Sequence, residues 1–261
     1  MLNKHAIIKV GTSTLTYENN KINLQCMDKL CKVITDIHAS GHTVTLVSSG
    51  AIGVGLGKMN LKFRPDGTVK RQALAAVGQC QLMFMYSKMF GEYNQTIAQI
   101  LLTPDVISNE TAKINVINTF NTLYQMGVIP VVNENDSVAT DELESANFGD
   151  NDTLSAIVAQ IVKADVLIML TDTDGLYDSD PRINSKAKLI SRVDRIDEGI
   201  RNIAKNTASN RGTGGMSTKV LAADMATSNG IDCYIMNGSR PEELYDLFKG
   251  KDVGTLFKAL K

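Results

Sequence analysis

The sequence predicts an α/β fold in which a mainly parallel sheet lies between helices on both of its faces. Short apolar runs that suit buried strands alternate along the chain with longer segments of helical periodicity. Such alternation implies crossover connections, which make neighbouring strands parallel and put helices on both sides. The composition is that of an ordinary soluble globular protein, since 43% of the 261 residues are hydrophobic and 21% are charged.

Apolar runs and helical spacing give the individual elements. The runs predicted as strands are Ala6–Val10, Thr43–Val47, Thr96–Leu102, Val128–Val132, Val166–Leu170 and Cys233–Met236. The segments predicted as helices are Leu24–Ala39, Val69–Phe90, Asn109–Met126, Asp152–Ala164 and Met216–Asn229. Gly127 and Gly230 follow two of these segments, at the position where glycine commonly ends a helix.

Polar clusters follow four of the predicted strands. They are Gly11–Ser13, Ser48–Ala51, Asn133–Asp136 and Thr171–Gly175, in chain order. Structural turns use the same residue types, so one such cluster alone is weak evidence for a site. Because ligands of parallel sheets gather beyond the carboxyl ends of the strands, the four together predict a small-molecule site.

A glycine-rich loop, Gly212–Lys219, runs directly into the last predicted helix. Its three glycines let the backbone approach a ligand closely, and the start of the helix offers free N–H groups to an anion. Lys219 adds a mobile positive charge of the kind that binds phosphate. Read alone, the loop could equally be an exposed turn capped by Ser217 or Thr218.

Charge and composition exclude several function classes. The net charge of −1 gives no reason to expect nucleic acid or an anionic membrane as the main partner. No stretch approaches the roughly 20 apolar residues of a membrane span, and the first apolar run is too short for a signal peptide, so we expect a cytoplasmic protein. The cysteines and histidines have no metal-ligand spacing. Gly53–Gly57 lacks the third glycine of a dinucleotide fingerprint, which argues against a Rossmann oxidoreductase.

Taken in order, these clusters resemble the motifs of the amino acid kinase family. The motifs are Lys9–Ser13, Ser48–Ile52, Asn133–Asp136, Gly149–Asp152, Thr171–Asp172 with Gly175–Tyr177, and Gly212–Lys219. The resemblance implies an αβα sandwich and ATP-dependent phosphorylation. It is strongest to the members that phosphorylate the γ-carboxylate of L-glutamate at the start of proline synthesis. Many bacterial members carry a further PUA domain, and this chain ends where that domain would begin. We therefore expect a single domain over 1–261, mainly substrate-binding at first and mainly nucleotide-binding from about 165.

The resemblance also implies three catalytic residues, Lys9, Asp152 and Lys219. Both lysines would neutralise the transferring phosphoryl group, and Asp152 would lie between them and hold them in place. Lys9 and Asp152 also have structural alternatives from sequence alone. Lys9 would be a solvated charge at a strand end, and Asp152 would be the N-cap of a helix over Thr153–Lys163.

Substrate and nucleotide contacts follow from the same resemblance. An amino-acid substrate needs a carboxylate facing its ammonium group, which suits Asp136, and neutral donors facing its α-carboxylate, which suit Ser49 and Asn151. Backbone N–H groups at Gly11 and Gly50 would reach the phosphates and the substrate carboxylate. The expected nucleotide contacts are Lys9, Gly11, Thr171, Asp172, Thr213, Gly214, Gly215, Met216, Ser217, Thr218 and Lys219. Mg²⁺ would be held mainly by the phosphates of ATP.

Two other functions stay open on the sequence. The acceptor could be acetylglutamate, aspartate or a nucleoside monophosphate, or the protein could be a non-catalytic sensor of amino acids or nucleotides. The family likeness further implies a homo-oligomer, either a dimer or a tetramer, and possible feedback inhibition by proline.

Overall fold

The six predicted strands lie side by side in one sheet. The computed structural model of the protein describes residues 3–61, 63–103, 106, 109–138, 151–206 and 215–260. Its strands are β1 His5–Val10, β2 Thr43–Ser48, β3 Ile97–Leu102, β4 Ile129–Glu134, β5 Val166–Thr171, β6 Arg192–Val193, β7 Asp232–Asn237 and β8 Thr255–Phe257. They form an eight-stranded sheet in the order β3-β4-β2-β1-β5-β7-β8-β6. Only the β7–β8 pairing in this sheet is antiparallel.

Helices fill the connections between the strands. They are α1 Thr12–Leu15, α2 Leu24–Ala39, α3 Ala51–Lys58, α4 Thr68–Glu92, α5 Glu110–Gln125, α6 Asn151–Ile161, α7 Glu198–Asn206, α8 Met216–Ser228 and α9 Glu243–Phe248. Gly127 and Gly230 lie just beyond α5 and α8 with φ of 69° and 77°, so their predicted role as helix stops is confirmed. Among the described residues, no helix is long and apolar enough to cross a membrane.

Apolar side chains on the two faces of the sheet build two cores. Ile8 faces one core, which includes Leu30 of α2 and Leu82 of α4. Its neighbour Ile7 points to the other face and packs in a second core with side chains of α6 and α8, such as Leu154. Burial of successive residues on both faces explains why the central strands read as continuous apolar runs. The predicted αβα sandwich is confirmed.

Two glycines allow α3 and α4 to pack with their backbones in contact. A Cβ atom on Gly78 of α4 would lie 2.5 Å from the backbone nitrogen of Gly55 and even closer to the carbonyl oxygen of Ala51. No residue larger than glycine fits there without moving a helix. This contact holds α4 against the start of α3, directly after the end of β2.

Candidate active site

The four polar clusters meet at one edge of the sheet. The strands that precede them, β4, β2, β1 and β5, are neighbours in this order, and all of them are parallel. Their carboxyl ends therefore lie side by side, as the sequence analysis expected. The connection from β1 leads to β2 on one side of β1, whereas the connection from β4 leads to β5 on its other side. The strand order therefore reverses at β1, and α/β sheets bind ligands at such a switch point.

A buried carboxylate bridges two buried lysines at this edge. Asp152 Oδ1 accepts a hydrogen bond of 2.5 Å from Lys9 Nζ, and Asp152 Oδ2 accepts one of 3.0 Å from Lys219 Nζ. Asp152 is fully buried, and the two lysines expose only 3% and 6% of their surface. Thr218 Oγ1 lies 2.9 Å from the same Oδ2. The structure thus brings together all three residues that the resemblance made catalytic.

The electrostatics of this cluster favour an anionic ligand. Burial alone would raise the pKa of Asp152, but the charges and hydrogen bonds of Lys9 and Lys219 outweigh it and hold the pKa below its ordinary value. Two ammonium groups and one carboxylate leave a net charge of +1 in a buried position. Each ammonium uses one of its three N–H groups on Asp152, and the described part of the chain supplies no second acceptor for either.

Asp152 lies inside the first turn of α6, because that helix begins at Asn151. The interpretation of Asp152 as an N-cap over Thr153–Lys163 is therefore wrong. A carboxylate in the first turn still interacts favourably with the positive end of the helix dipole. The side chain is thus compatible with the helix and free to bind the lysines.

Gly11 brings bare backbone close to the ammonium group of Lys9. Gly11 has an ordinary φ of −85°, and a Cβ atom built on it would lie 3.7 Å from Lys9 Nζ and 3.9 Å from Ser13 Oγ. Farther along the same edge, a cavity of about 360 Å³ is lined by hydroxyl, amide and carboxylate groups, including those of Thr171, Asp172 and Asn237. The predicted nucleotide contacts Gly11, Thr171 and Asp172 therefore share one edge with the lysines.

The end of the glycine loop leads into α8. Gly215 precedes the first residue of this helix, Met216, and accepts a hydrogen bond from Thr218 Oγ1. Lys219 follows one turn later on the buried face, whereas Ser217 is exposed. The predicted contacts Thr213 and Gly214 lie outside the described residues.

The residues predicted to bind the acceptor lie on the β2 and β4 side of the edge. Asn151, next to Asp152, donates its amide hydrogens to Ser48 O at 2.9 Å, Ser49 Oγ at 3.0 Å and Asn133 Oδ1 at 2.9 Å. The backbone N–H of Ser49 is used on Val10 O, but its hydroxyl hydrogen has no acceptor among the described residues. Gly50 has a φ of 104°, so this turn into α3 requires glycine for its conformation.

Asp136 lies in the turn after β4 and is half-buried. Burial raises the pKa of this carboxyl to about 6, although the positive charge of Arg64 opposes the shift. Among the described residues, none forms a hydrogen bond with its side chain. A desolvated carboxylate that receives no hydrogen bond from the described residues is well suited to bind a cationic group of a ligand.

Sequence reasoning did not identify two amides that support this region, Gln79 and Asn133, as site residues. Asn133 belongs to the quoted Asn133–Asp136 motif, and it donates from Nδ2 to Gln79 Oε1 at 2.8 Å. Gln79 follows Gly78 on α4. Its neighbour Gly78, a glycine in the middle of a long helix, was its mark in the sequence.

Comparisons with known proteins show which family the sequence matches. The profile of the amino acid kinase family matches residues 4–237. The chain is 55% identical to a glutamate 5-kinase of Clostridium perfringens, over 99% of this chain and 96% of that protein. It is 48% identical to a glutamate 5-kinase of Enterococcus faecalis, over 97% of this chain and 94% of that protein.

Solved structures share the fold at low sequence identity. A carbamate kinase from Giardia lamblia bound to AMP-PNP matches with a TM-score of 0.69 and 16% identity, covering 99% of each chain. An isopentenyl phosphate kinase from T. acidophilum matches with a TM-score of 0.67 and 19% identity, covering 97% of this chain and 100% of that one. At this identity, the two structures support the fold only.

Proposed function

The chain belongs to the amino acid kinase family, and on this premise we propose that it transfers the γ-phosphoryl group of ATP to the side-chain carboxylate of L-glutamate. The observation that carries this proposal is the buried cluster of Lys9, Asp152 and Lys219, with its excess positive charge. The relatives named glutamate 5-kinase, which match nearly the whole chain, identify the acceptor.

The chemistry of the reaction explains why the site is built from charge. A glutamate side chain has an ordinary pKa near 4.3, so the nucleophile is ionised at neutral pH and no general base is needed. The obstacle is that an anion must approach the polyanionic triphosphate. Lys9 and Lys219 reduce this repulsion, and they stabilise the charge that develops on the transferring group.

Asp152 sets the positions of the two lysines. By binding one ammonium group on each of its oxygens, it keeps two like charges close together before any ligand arrives. The remaining N–H groups of both lysines are then available to phosphate oxygens. The arrangement needs little rearrangement during transfer, which is what makes preorganised charge effective.

We place the nucleotide along the edge from Gly11 to Thr171 and Asp172, and its phosphates between the lysines and the start of α8. The free N–H groups of a helix N-terminus favour phosphate there. The described residues contain no cluster of three or more histidine, cysteine or acidic side chains that could hold a metal ion. We therefore propose that Mg²⁺ arrives on the phosphate oxygens of ATP, where it would neutralise phosphate charge.

Glutamate would bind on the β2 and β4 side of the edge. Asp136 would pair with its ammonium group, and the Ser49 hydroxyl would donate to its α-carboxylate. These acceptor residues precede residue 165 and the main nucleotide contacts follow it. This order supports the division of the chain into a mainly substrate-binding and a mainly nucleotide-binding part.

Three further properties are proposals from the family likeness and the surface. Val77 and Phe84 of α4 are exposed, which supports a homo-oligomer interface on this helix. All four cysteines are free thiols, which suits the reducing cytoplasm. The third proposed property is inhibition by proline. Light scattering and a proline titration measure the oligomer and the inhibition.

Trapping the acyl phosphate tests the proposed reaction. The protein is incubated with ATP, Mg²⁺, hydroxylamine and one acceptor, and the hydroxamate formed is quantified. We expect the γ-hydroxamate from L-glutamate and far less hydroxamate from acetylglutamate or aspartate. Phosphorylation of UMP gives UDP rather than an acyl phosphate, so UMP is tested by UDP formation, which we expect to be far lower still. Product from one of those three alone would assign another acceptor. No product from any of them, with nucleotide and glutamate still bound, would favour a sensor.

A further inference from the structure

A chain of three amides runs from the middle of α4 to the predicted glutamate site. Gln79 Oε1 accepts from Asn133 Nδ2 at 2.8 Å, and Asn133 Oδ1 accepts from Asn151 Nδ2 at 2.9 Å. Asn133 is buried, with only 2% of its surface exposed. The chain joins three elements, α4, β4 and α6, at the point where the acceptor would bind.

Backbone groups fix the direction of the Asn133 and Asn151 amides, and the direction of Gln79 follows from that of Asn133. An amide side chain has two similar ends, and the groups that it meets decide which end is oxygen. The backbone N–H of Glu134 can only donate, and it lies 2.9 Å from Asn133, so that end of Asn133 is Oδ1. The carbonyl oxygen of Ser48 can only accept, and it lies 2.9 Å from Asn151, so that end of Asn151 is Nδ2.

The side-chain nitrogen of Asn151, Nδ2, therefore uses both of its hydrogens in hydrogen bonds within the protein. Its two amide hydrogens are shared among three acceptors, Ser48 O, Ser49 Oγ and Asn133 Oδ1. Asn151 Oδ1 receives no hydrogen bond from the described residues. Asn151 therefore presents an acceptor to a ligand, which does not fit the sequence-based expectation that it donates to the α-carboxylate.

We propose that Gln79 is a positioning residue, which acts through Asn133 to turn the Asn151 carbonyl oxygen toward the α-ammonium group of the amino-acid substrate. This inference rests on the proposed function and assigns partners to both charged groups on the α-carbon of the substrate. Asn151 Oδ1 and Asp136 accept from the ammonium group, while the Ser49 hydroxyl donates to the α-carboxylate.

The packing of α4 explains how Gln79 reaches this position. Gly78, its neighbour, brings α4 into backbone contact with the start of α3. About two turns further along, the buried Tyr86 hydroxyl lies 2.8 Å from Ser48 Oγ. These contacts hold α4 against the end of β2, so the Gln79 amide is fixed relative to Ser48 and Asn151.

Substitutions at Gln79 separate positioning from simple structural support. Gln79→Met keeps the length of the side chain and removes the acceptor for Asn133. We expect it to raise KM for glutamate about three- to tenfold, the cost of one neutral hydrogen bond. The kcat and the KM for ATP should stay within about twofold. Gln79→Glu keeps an acceptor for Asn133 and should have a KM for glutamate near that of the wild type. Gln81→Met, at another half-buried glutamine of α4, is the matched control and should change neither constant.

Two substrate fragments test the direction of Asn151. Glutarate lacks the ammonium group, and 4-aminobutanoate lacks the α-carboxylate. Their dissociation constants are measured by calorimetry on the wild type and on Gln79→Met with ADP present, so the result does not depend on turnover. We expect Gln79→Met to weaken 4-aminobutanoate by the same factor as glutamate and to leave glutarate unchanged.

Other patterns would overturn the proposal. Weaker glutarate with unchanged 4-aminobutanoate would place Asn151 on the α-carboxylate, and equal weakening of both would mean a general distortion. Unchanged affinities for both would remove Gln79 from substrate binding. Failure of the wild type to phosphorylate glutamate would instead reject the proposed function. If the wild type nevertheless bound glutamate, the fragment measurements would still decide the direction of Asn151.

Discussion

Replacing Asp152 with asparagine should unbalance the charges at the centre of the site. Asp152→Asn keeps the size of the side chain and removes the only acidic group bonded to Lys9 and Lys219 among the described residues. The two lysines, which expose 3% and 6% of their surface, are then left without a counter-charge from the described residues. Removal of one partner from a buried ion pair costs about 3–5 kcal/mol. We therefore expect the free energy of unfolding to fall by about that amount.

The stability change is measured by urea unfolding followed by circular dichroism, since the chain contains no tryptophan. Thr218→Val is the control, because it removes a neutral hydroxyl from the same oxygen and should cost only about 1 kcal/mol. A change below 1 kcal/mol in Asp152→Asn would refute the buried charge cluster.

The pH dependence follows from the lowered pKa of Asp152. A carboxyl group whose pKa is lower in the folded than in the unfolded state stabilises the protein at pH values above the unfolded-state pKa, which is near 3.9 for aspartate. This stabilisation is lost as the pH falls through the pKa of the folded state. The stability difference between wild type and Asp152→Asn should therefore be constant from about pH 5 to 8 and shrink below about pH 4. A difference that grew toward low pH would contradict the assignment.

Three further predictions concern individual parts of the site. Gly11→Ala should leave thermal stability unchanged, because φ is ordinary and a Cβ atom would meet its neighbours at ordinary van der Waals distances. It should weaken ATP binding at least tenfold, because the added methyl group lies beside Lys9 Nζ. Gly91→Ala, whose methyl group would enter open space, is the control. Asp136→Asn should raise KM for glutamate by about one to two orders of magnitude and leave KM for ATP unchanged. The wild-type KM for glutamate should rise below about pH 6, where Asp136 becomes protonated, and that rise should be absent from the variant. Lys9→Ala and Lys219→Ala should each lower kcat more than they weaken ligand binding. The double variant should lose less transition-state stabilisation than the sum of the two single losses. Strict additivity would place the lysines in separate sites.

Strand positions and the edge that carries the site could be predicted because they depend on local patterns. Buried parallel strands must be apolar, and the residues after them are turn formers or ligand contacts, so both are visible in the sequence. Strands β6 and β8 were not predicted. With two and three residues, they are too short to show a period, and they form only because they pair at the end of an existing sheet.

The amide chain and helix α3 depend on contacts between distant parts of the chain. Gln79 and Asn133 are 54 residues apart, and neither carries a local signal of their hydrogen bond. The α3 segment contains three glycines, which disfavour a helix by propensity, yet Gly55 and Gly57 are tolerated because other backbone atoms lie where a Cβ would be. Packing decided the structure in both cases.

The central claim is that a substrate carboxylate, rather than water, attacks the γ-phosphorus of ATP at the two lysines. Glutamate labelled with ¹⁸O in the γ-carboxylate tests this directly. The carboxylate oxygen forms the new bond to phosphorus as ADP leaves, and hydroxylamine then displaces phosphate from the acyl carbon. That phosphate keeps the bridging oxygen, so we predict one ¹⁸O atom in each phosphate released with the hydroxamate, as measured by mass spectrometry. Unlabelled phosphate would mean that water is the nucleophile and would contradict the proposed reaction.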